Sequence, residues 1–319
     1  MPAEPLVSIL LPTFNRAHLL PRAVESVLQQ SYPDWELLIW DDGSSDETQA
    51  VLSSFMDPRI RIFSGKNRGK PYVINRAFSC SNGDLIAFLD DDDQWLPDKL
   101  KVQVSFLQSN PDVDLSFGNF RNVDIAANHE QDGFAQSAVG LARLLTTPTS
   151  AGFKRITNGW LEGLAADNFI AMDTVILRRV LMEKIGGFNE NLACAEDFEF
   201  WWRAGLAGFH FAYTDEVLLV RNKYPGSLSS SCVPTLTGTL RTLDACAEAS
   251  FQAGREETIR YLRPAYRNTW QNLMTAYSRE GDLFRAFQAF KSANRYGRKP
   301  GTLRVLFRAL SDTALGKAK

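Results

Sequence analysis

Three short apolar runs in the first hundred residues each end in a cluster of polar or acidic side chains. VSILLP (7–12) runs into TFNR, ELLIW (36–40) into DDGSSDET, and DLIAFL (84–89) into DDDDQW. Runs of this length, bounded by polar punctuation, read as buried strands. Between them the spacing turns helical, with Leu19, Leu20, Ala23, Val24, Val27 and Leu28 on one stripe of AHLLPRAVESVLQQS. A fourth strand, RIRIF (59–63), third in chain order, alternates with period two, and KPYVINRAFSCS (70–81) follows as a helix with Gly83 just beyond it. Ser44 and Glu47 have the spacing of a capping box for the helix QAVLSSFM, and Pro97 opens PDKLKVQVSFLQS as proline does at a first helical position. Strand–helix alternation with wholly apolar strands requires a mostly parallel sheet covered on both faces. Ligands bind such sheets beyond the carboxyl ends of the strands. All three polar clusters fall there, so together they make a site.

Beyond residue 112 the pattern loosens. DVDLSFGNF, VILRR and HFAYTDEVLLVRN read as strands, RVLMEKIG and AEDFEFWWRAGLAG as helices, and the stretch 126–168 as a flexible insertion. From about 235 the pattern is helical, in TLRTLDACAEASFQ, RPAYRNTWQNLMTAYSR, DLFRAFQAFKSAN and GTLRVLFRALS, compatible with two antiparallel helix pairs. With 319 residues, and about 150 per domain, the division expected is 1–234 for the sheet domain and 235–319 for the helical region.

Composition removes whole classes. Hydrophobic residues at 45% and charged residues at 23% exclude a disordered or collagen-like chain. No apolar run approaches the ~20 residues that span a bilayer, and MPAEPLVSILLP has neither the basic start nor the long apolar stretch of a signal peptide. The expected place is the cytoplasm. Cys80, Cys194, Cys232 and Cys246 form no CxxC pair, and His18, His129 and His210 stand far apart, so free thiols are expected and a zinc site is not. The net charge of −2 hides an asymmetry: residues 254–319 carry fourteen Lys and Arg against five Asp and Glu. Such a tail is either a solvated helical face or a surface for an anionic partner such as a membrane. No nucleic-acid partner is expected.

Four consecutive aspartates, Asp90 to Asp93, carry the most chemistry. On an extended segment Asp90 and Asp92 share one face, and crowded carboxylates favour either protonation or a bound cation. Oxygen ligands select Mg²⁺ or Mn²⁺; the competing reading is an acidic turn capping the next helix. Asp41 and Asp42 can accept from a ribose hydroxyl or a base N–H, or serve only as turn and cap residues. In PTFNR, Phe14 offers a stacking surface, Pro12 a rigid bend and Asn15 an amide. Glu196 and Asp197 open an aromatic helix, where apolar walls can tune a carboxylate toward general-base work or the macrodipole can simply favour an acid.

These pieces, in this order and spacing, resemble the family 2 inverting glycosyltransferases of GT-A fold, over roughly residues 6–230. The carriers are VSILLPTFNR, LLIWDDGSSDET (37–48), IAFLDDDDQWLPDKL (86–100), IGGFNE (185–190) and EDFEFWWRAG (196–205). The resemblance implies that Phe14 with Pro12 cradles a nucleotide base, that Asp42 reads it with support from Asp41, and that Asp90–Asp91–Asp92 is the DxD motif. Asp92, with Asp90, then holds the metal, and Asp90 or Asp91 lies near the ribose. Asp197 matches the general base, with Glu196 beside it, and Asn75 an asparagine following the nucleotide-binding segment. Two departures stand out. Ile74 replaces an arginine, leaving Arg68, Lys66 or Lys70 for phosphate, and RNKYPGSLS (221–229) keeps Arg221 and Ser227 without the family's histidine, leaving Lys223 or Tyr224. The implied activity is hexosyl transfer with inversion from a UDP- or dTDP-sugar to a saccharide or lipid-linked saccharide, in polysaccharide or glycoconjugate synthesis. The basic tail would hold the enzyme at the inner membrane face. Asp173 and Thr174 fall in a plausible acceptor wall. The alternatives are a non-catalytic nucleotide-sugar or glycan-binding protein and a sugar nucleotidyltransferase, which would want a glycine-rich, lysine-containing loop that PTFNRAHLLP lacks.

Overall fold

The computed structural model describes residues 4–125, 127–223 and 233–297. The chain runs β1 (Val7–Thr13), α1 (Leu20–Leu28), β2 (Trp35–Asp41), α2 (Thr48–Leu52), β3 (Ile60–Ser64), α3 (Lys70–Cys80), β4 (Leu85–Phe88), β5 (Gln94–Trp95) and α4 (Lys99–Ser109). There follow β6 (Leu115–Asp124), β7 (His129–Asp132), α5 (Gly133–Gln136), α6 (Ala138–Leu141), β8 (Leu145–Pro148), β9 (Phe153–Asn158) and α7 (Trp160–Ala166). Last come β10 (Ile176–Arg178), α8 (Arg179–Ile185), α9 (Glu196–Leu206), β11 (Phe211–Lys223), α10 (Val233–Gln252), α11 (Ile259–Arg279) and α12 (Leu283–Arg295).

The main sheet has the order β3-β2-β1-β4-β10-β6-β11-β9-β8, with β5 on β11 and β7 on β6. Its first four strands are parallel, as the alternation of strand and helix requires. The remainder is mixed: β10 runs antiparallel to both β4 and β6, β6 and β11 are parallel, and β8 and β9 form an antiparallel pair. Two of the antiparallel pairs, β6–β7 and β8–β9, join strands consecutive in sequence, which need only short connections.

The stretch 126–168 is built structure rather than a flexible insertion: β7 through α7 occupy it, apart from Ala126, which lies outside the described residues. It is held by aromatic side chains spaced singly, which leave no period to read. Phe153 stacks on Phe106 at 3.9 Å between ring centroids, and Trp160 on Phe211 at 3.7 Å. The helix after DDGSSDET also starts differently from the expected capping box. The Asp46 carboxylate takes the Thr48 N–H (3.0 Å) and hydroxyl (2.5 Å), while Ser44 turns to Asp41 and Asn15. Pro97 precedes α4 by two residues instead of opening it.

One hydrophobic cluster extends from Val7 on β1 through Trp201 and Trp202 on α9 to Leu243, Leu262 and Ala289 in the C-terminal helices. The boundary expected at 234/235 falls within the first turn of α10, and the core is continuous from the sheet into these helices. Helices α10, α11 and α12 stack in sequence order; GTLRVLFRALS lies outside the described residues. At the amino ends of the parallel strands a polar knot closes the sheet. Ser8 donates to Glu36 (2.7 Å), Arg61 pairs with Glu36 (3.0 Å), and the Gly83 N–H donates to Ser8 Oγ (2.7 Å). The carboxyl ends of β1, β2 and β4 open on the opposite edge.

Candidate active site

On that open edge the loops after β1 and β2 are laced together. The Asn15 N–H donates to Ser44 Oγ (2.8 Å) and the Asn15 side-chain oxygen accepts the Ser45 N–H (2.7 Å). Asn15 takes a left-handed backbone (φ 52°), which Asn tolerates better than most side chains. This turn leaves Phe14 43% exposed at the mouth, directly after half-buried Pro12 and buried Thr13. Asp41 is enclosed: Ser44 N–H (3.0 Å) and hydroxyl (2.5 Å) share one of its oxygens and Gln49 donates to the other. Asp42 is buried too, and its two oxygens accept the N–H groups of Arg68 and Gly69, each at 2.8 Å. The position expected to read the base thus also clamps the chain at the start of α3. Arg68 lays its guanidinium over Tyr72, 4.0 Å from the ring centroid.

The four aspartates form a turn rather than the expected extended segment, the Asp93 N–H donating to the Asp90 carbonyl (3.2 Å); Asp91 and Asp93 are buried and Asp90 and Asp92 half-buried. Each has a protein partner. Asp91 accepts from Thr13 Oγ1 (2.7 Å), Asp92 pairs with Arg16, Asp90 with Lys70 Nζ (2.7 Å), and Asp93 accepts the Asn222 N–H (3.0 Å). The Asp90 N–H donates to buried Asp173, whose own carbonyl accepts the Trp95 indole N–H (2.8 Å). Burial dominates the electrostatics. It pushes the Asp91 carboxyl up to about 7, with Asp92 and Asp90 adding and Thr13 and Arg16 opposing. Asp93 and Asp173 are raised for the same reason, with Asp90 acting on both.

Helix α9 brings in the second half. Ala195 precedes it in a left-handed turn (φ 54°), a conformation that costs an L-residue about 1–2 kcal/mol and so must be held by its surroundings. From that turn project Glu196, buried, and Asp197, half-buried. Burial raises both carboxyls, while Lys70 works against it; the Phe198 N–H, donating to Asp197 at 2.8 Å, and Arg221 also favour the Asp197 anion. Lys70 is the hinge of the arrangement, touching Asp90 on one side and lying 4.0 Å from Glu196 on the other. Burial by itself would lower Lys70, yet Asp90, Glu196 and Asp173 hold it well above the usual lysine range.

The structure brings together Pro12, Phe14, Asn15, Asp41, Asp42, Arg68, Asp90, Asp91, Asp92 and Asp197 on one edge. Asn75 belongs elsewhere. Its amide clasps the backbone of Phe188 through N–H (2.8 Å) and carbonyl (2.9 Å) and reaches Glu190 (3.0 Å), fixing the IGGFNE turn. Tyr224 and Ser227 lie outside the described residues. Arg16 and Asn222 are site residues that sequence reasoning passed over. The first stood inside a motif already quoted; the second carried no signal. Lys99 was likewise missed. It is fully buried beneath the site, 4.3 Å from the Trp95 ring centroid and bonded to Gln103 (2.9 Å); burial pushes it down to about 7, against the pull of Asp173.

Residues 8–164 match the family described as Glycosyl transferase family 2. Among curated relatives, UDP-Glc:alpha-D-GlcNAc-diphosphoundecaprenol beta-1,3-glucosyltransferase WfgD of Escherichia coli is 38% identical over 120 residues, 37% of this chain and 47% of that protein. The alignments span less than half the length of the first three such relatives. Among solved structures, S. aureus TarS 1-349 in complex with UDP-GlcNAc superposes with a TM-score of 0.63 at 19% identity, over 96% of this chain and 80% of that one. The mannosyltransferase PcManGT from Pyrobaculum calidifontis, in complex with GDP-Man and Mn²⁺, gives 0.55 at 17% identity, over 98% and 81%. These two share the fold expected from the strand and motif order, a Rossmann-like GT-A sheet followed by helices. With the family match falling on the segment that carries the first three motifs, residues 8–164 of this chain form a glycosyltransferase family 2 domain.

Proposed function

We propose that this chain transfers a hexose from a UDP- or dTDP-linked donor to a hydroxyl of a saccharide or lipid-linked saccharide, with inversion, in the synthesis of a polysaccharide or glycoconjugate. One observation carries the reading: Lys70 bridges Asp90 of the nucleotide half and Glu196, the neighbour of Asp197. The donor loops and the raised carboxylates of α9 therefore face one space. A uridine donor is supported by the names of WfgD and of the TarS complex, and a lipid-linked acceptor by that of WfgD.

In this reading the base lies against Phe14 and Pro12, held by the Asn15 turn and Asp42, with Asp41 behind it. Arg68 and Lys70 face the diphosphate. Asp197, held above the ordinary aspartate range by burial, takes the proton of the acceptor hydroxyl. The acceptor oxygen forms its bond to the anomeric carbon on one face as the bond to the diphosphate breaks on the other. The nucleoside diphosphate leaves with the electron pair, and configuration inverts.

A divalent cation fits the residues present. The donor set is oxygen only, and Asp91, Asp93 and Asp173 are all raised by burial and by neighbouring carboxylates, Asp90 among them each time, the condition a cation relieves. Among the described residues no three carboxylates or other ligands converge into a cage, so the protein would supply one or two, Asp92 and Asp90. That matches Mg²⁺ or Mn²⁺ shared with phosphate oxygens. When bound, the ion neutralises the leaving diphosphate as a Lewis acid. Arg16 and Lys70 hold these carboxylates in position and balance part of their charge.

We place the site on the cytoplasmic side, with the C-terminal helices against an anionic membrane surface. No helix among the described residues is long and apolar enough to cross a membrane. Helix α12 packs through Ala286, Ala289 and Ala293, and on its opposite side Phe284 (72% exposed), Phe287, Lys291 and Arg295 follow one helical stripe. Phenyl rings beside cations suit the boundary of an anionic bilayer.

The test of the donor site is thermal stability against UDP, dTDP, GDP and CDP, with and without Mn²⁺. Wild type should shift with one nucleotide only when the metal is present, and Asp92→Ala should lose that shift. No shift with any nucleotide in folded protein would leave a non-catalytic binding protein as the better reading.

A further inference from the structure

Helix α10 lies outside the segment matched to the family, yet it grips the turn that carries Asp197. Thr242 Oγ1 donates to the Cys194 carbonyl (2.8 Å), and Cys194 Sγ donates to the Thr235 carbonyl (3.4 Å). Gly238 faces the same thiol so closely that a Cβ there would lie 2.1 Å from Sγ. Two turns on, the Trp202 indole N–H donates to Ser250 Oγ (3.0 Å), which also accepts from Thr258 Oγ1 (2.9 Å). Cys194 to Thr242 and Trp202 to Ser250 are both separations of 48 residues, so α10 runs alongside α9 in the same direction and in one register. Thr242, Ser250 and Cys246 between them are all buried.

The left-handed Ala195 at the start of α9 makes no side-chain cap bond of its own, and Cys194 before it is clasped. The clasp comes from α10. We propose that α10 is a splint for the catalytic turn, with Thr242 a positioning residue that fixes the Cys194 carbonyl and thereby the direction in which Asp197 projects. This rests on the reading of Asp197 as the general base, and it gives the helical region a part in the chemistry besides any contact with a membrane.

The test uses the full chain with Thr242→Val, which keeps the shape and removes the hydroxyl, and Thr242→Ser, which restores it. The first readout needs no turnover: the rate at which iodoacetamide alkylates Cys194, followed by peptide mass spectrometry. Release of the clasp should raise it about tenfold in Thr242→Val and leave Thr242→Ser near wild type. The second is hydrolysis of UDP-glucose and UDP-N-acetylglucosamine with Mn²⁺. Misplacement of a reacting group by about 1 Å costs up to ~10²-fold, so kcat should fall at least tenfold in Thr242→Val with KM within about twofold. Melting temperatures identify a variant that has merely lost its fold, and Gly238→Ala, pushing on the same thiol from another side, then serves in its place. An unchanged alkylation rate overturns the splint, as does a joint loss of kcat and UDP affinity. If Asp197→Asn hydrolyses the donor like wild type, the base assignment fails, and the alkylation rate still decides whether α10 holds the turn.

Discussion

If Asp197 is the base proposed above, its burial gives a concrete expectation. Asp197→Asn keeps the shape and the acceptor from Phe198 N–H in place but cannot take a proton. General-base assistance is worth typically ~10²–10⁴-fold, so kcat should fall by about that factor while the Kd for UDP stays within about twofold, measured by calorimetry. A parallel loss of UDP affinity would move Asp197 into the donor pocket. Lys99 makes a different statement. Its folded pKa is pushed down to about 7 from an unfolded value near 10.5. Between those limits the unfolded chain binds the extra proton, so this group makes stability rise with pH there; below 7 both states are protonated and the burial penalty is felt in full. The stability of Lys99→Met relative to wild type should therefore fall by about 1 kcal/mol per unit from pH 7 to 9 in urea titrations. A flat difference would mean that Lys99 stays charged. Residues of the site were legible where they sat in a local motif, as Phe14, Asp42, Asp92 and Asp197 did. Asn222 was not, because its role comes from pairing with a loop 130 residues earlier; nor was Lys99, whose partners Gln103 and Trp95 are local but whose complete burial is set by the packing of the whole sheet.

Among elements, the four parallel strands were plain in the sequence because three are largely apolar runs, β3 alternates with period two, and each is followed by a helix or a polar turn. β7 to β9 were opaque for the opposite reason: β7 is wholly exposed, and most of β8 faces solvent, so neither shows a hydrophobic period. The junction of α3 and β4 shows what an element boundary demands. A Cβ on Gly83 would lie 2.6 Å from the Leu6 carbonyl and from the Ser8 N–H nitrogen, both backbone atoms that cannot step aside. Gly83→Ala should cost about 1–3 kcal/mol, read from the urea midpoint, through separation of β1 and β4 at their amino ends. Donor affinity per folded molecule should not change, since the site is on the other edge. A fall in affinity at full folding would show that strain travels along β1 to Thr13.

At the scale of the molecule, two edges of chemistry are joined by one core. The acidic body carries the site and the basic helices carry Phe284 and Phe287. Phe284→Ser with Phe287→Ser should abolish co-sedimentation with vesicles rich in phosphatidylglycerol while leaving nucleotide-induced thermal shifts as in wild type. Binding retained by the double variant, and equal for vesicles of phosphatidylcholine alone, would remove α12 from the membrane. The helical character of this region was readable from spacing, whereas its attachment through Trp202 and Leu243 was not, since both read simply as core residues.

The pairing of β11 with β5 has a consequence in time. Strand β11 meets Trp95 of β5 through Leu219 and holds Asp92 and Asp93 through Asn222, more than 120 residues after the aspartates have been made. On the ribosome, β1 to β4 can assemble as soon as they emerge, with their acidic loop still lacking its strand partner. The candidate site of a growing chain thus lacks this partner until residue 222 clears the exit tunnel.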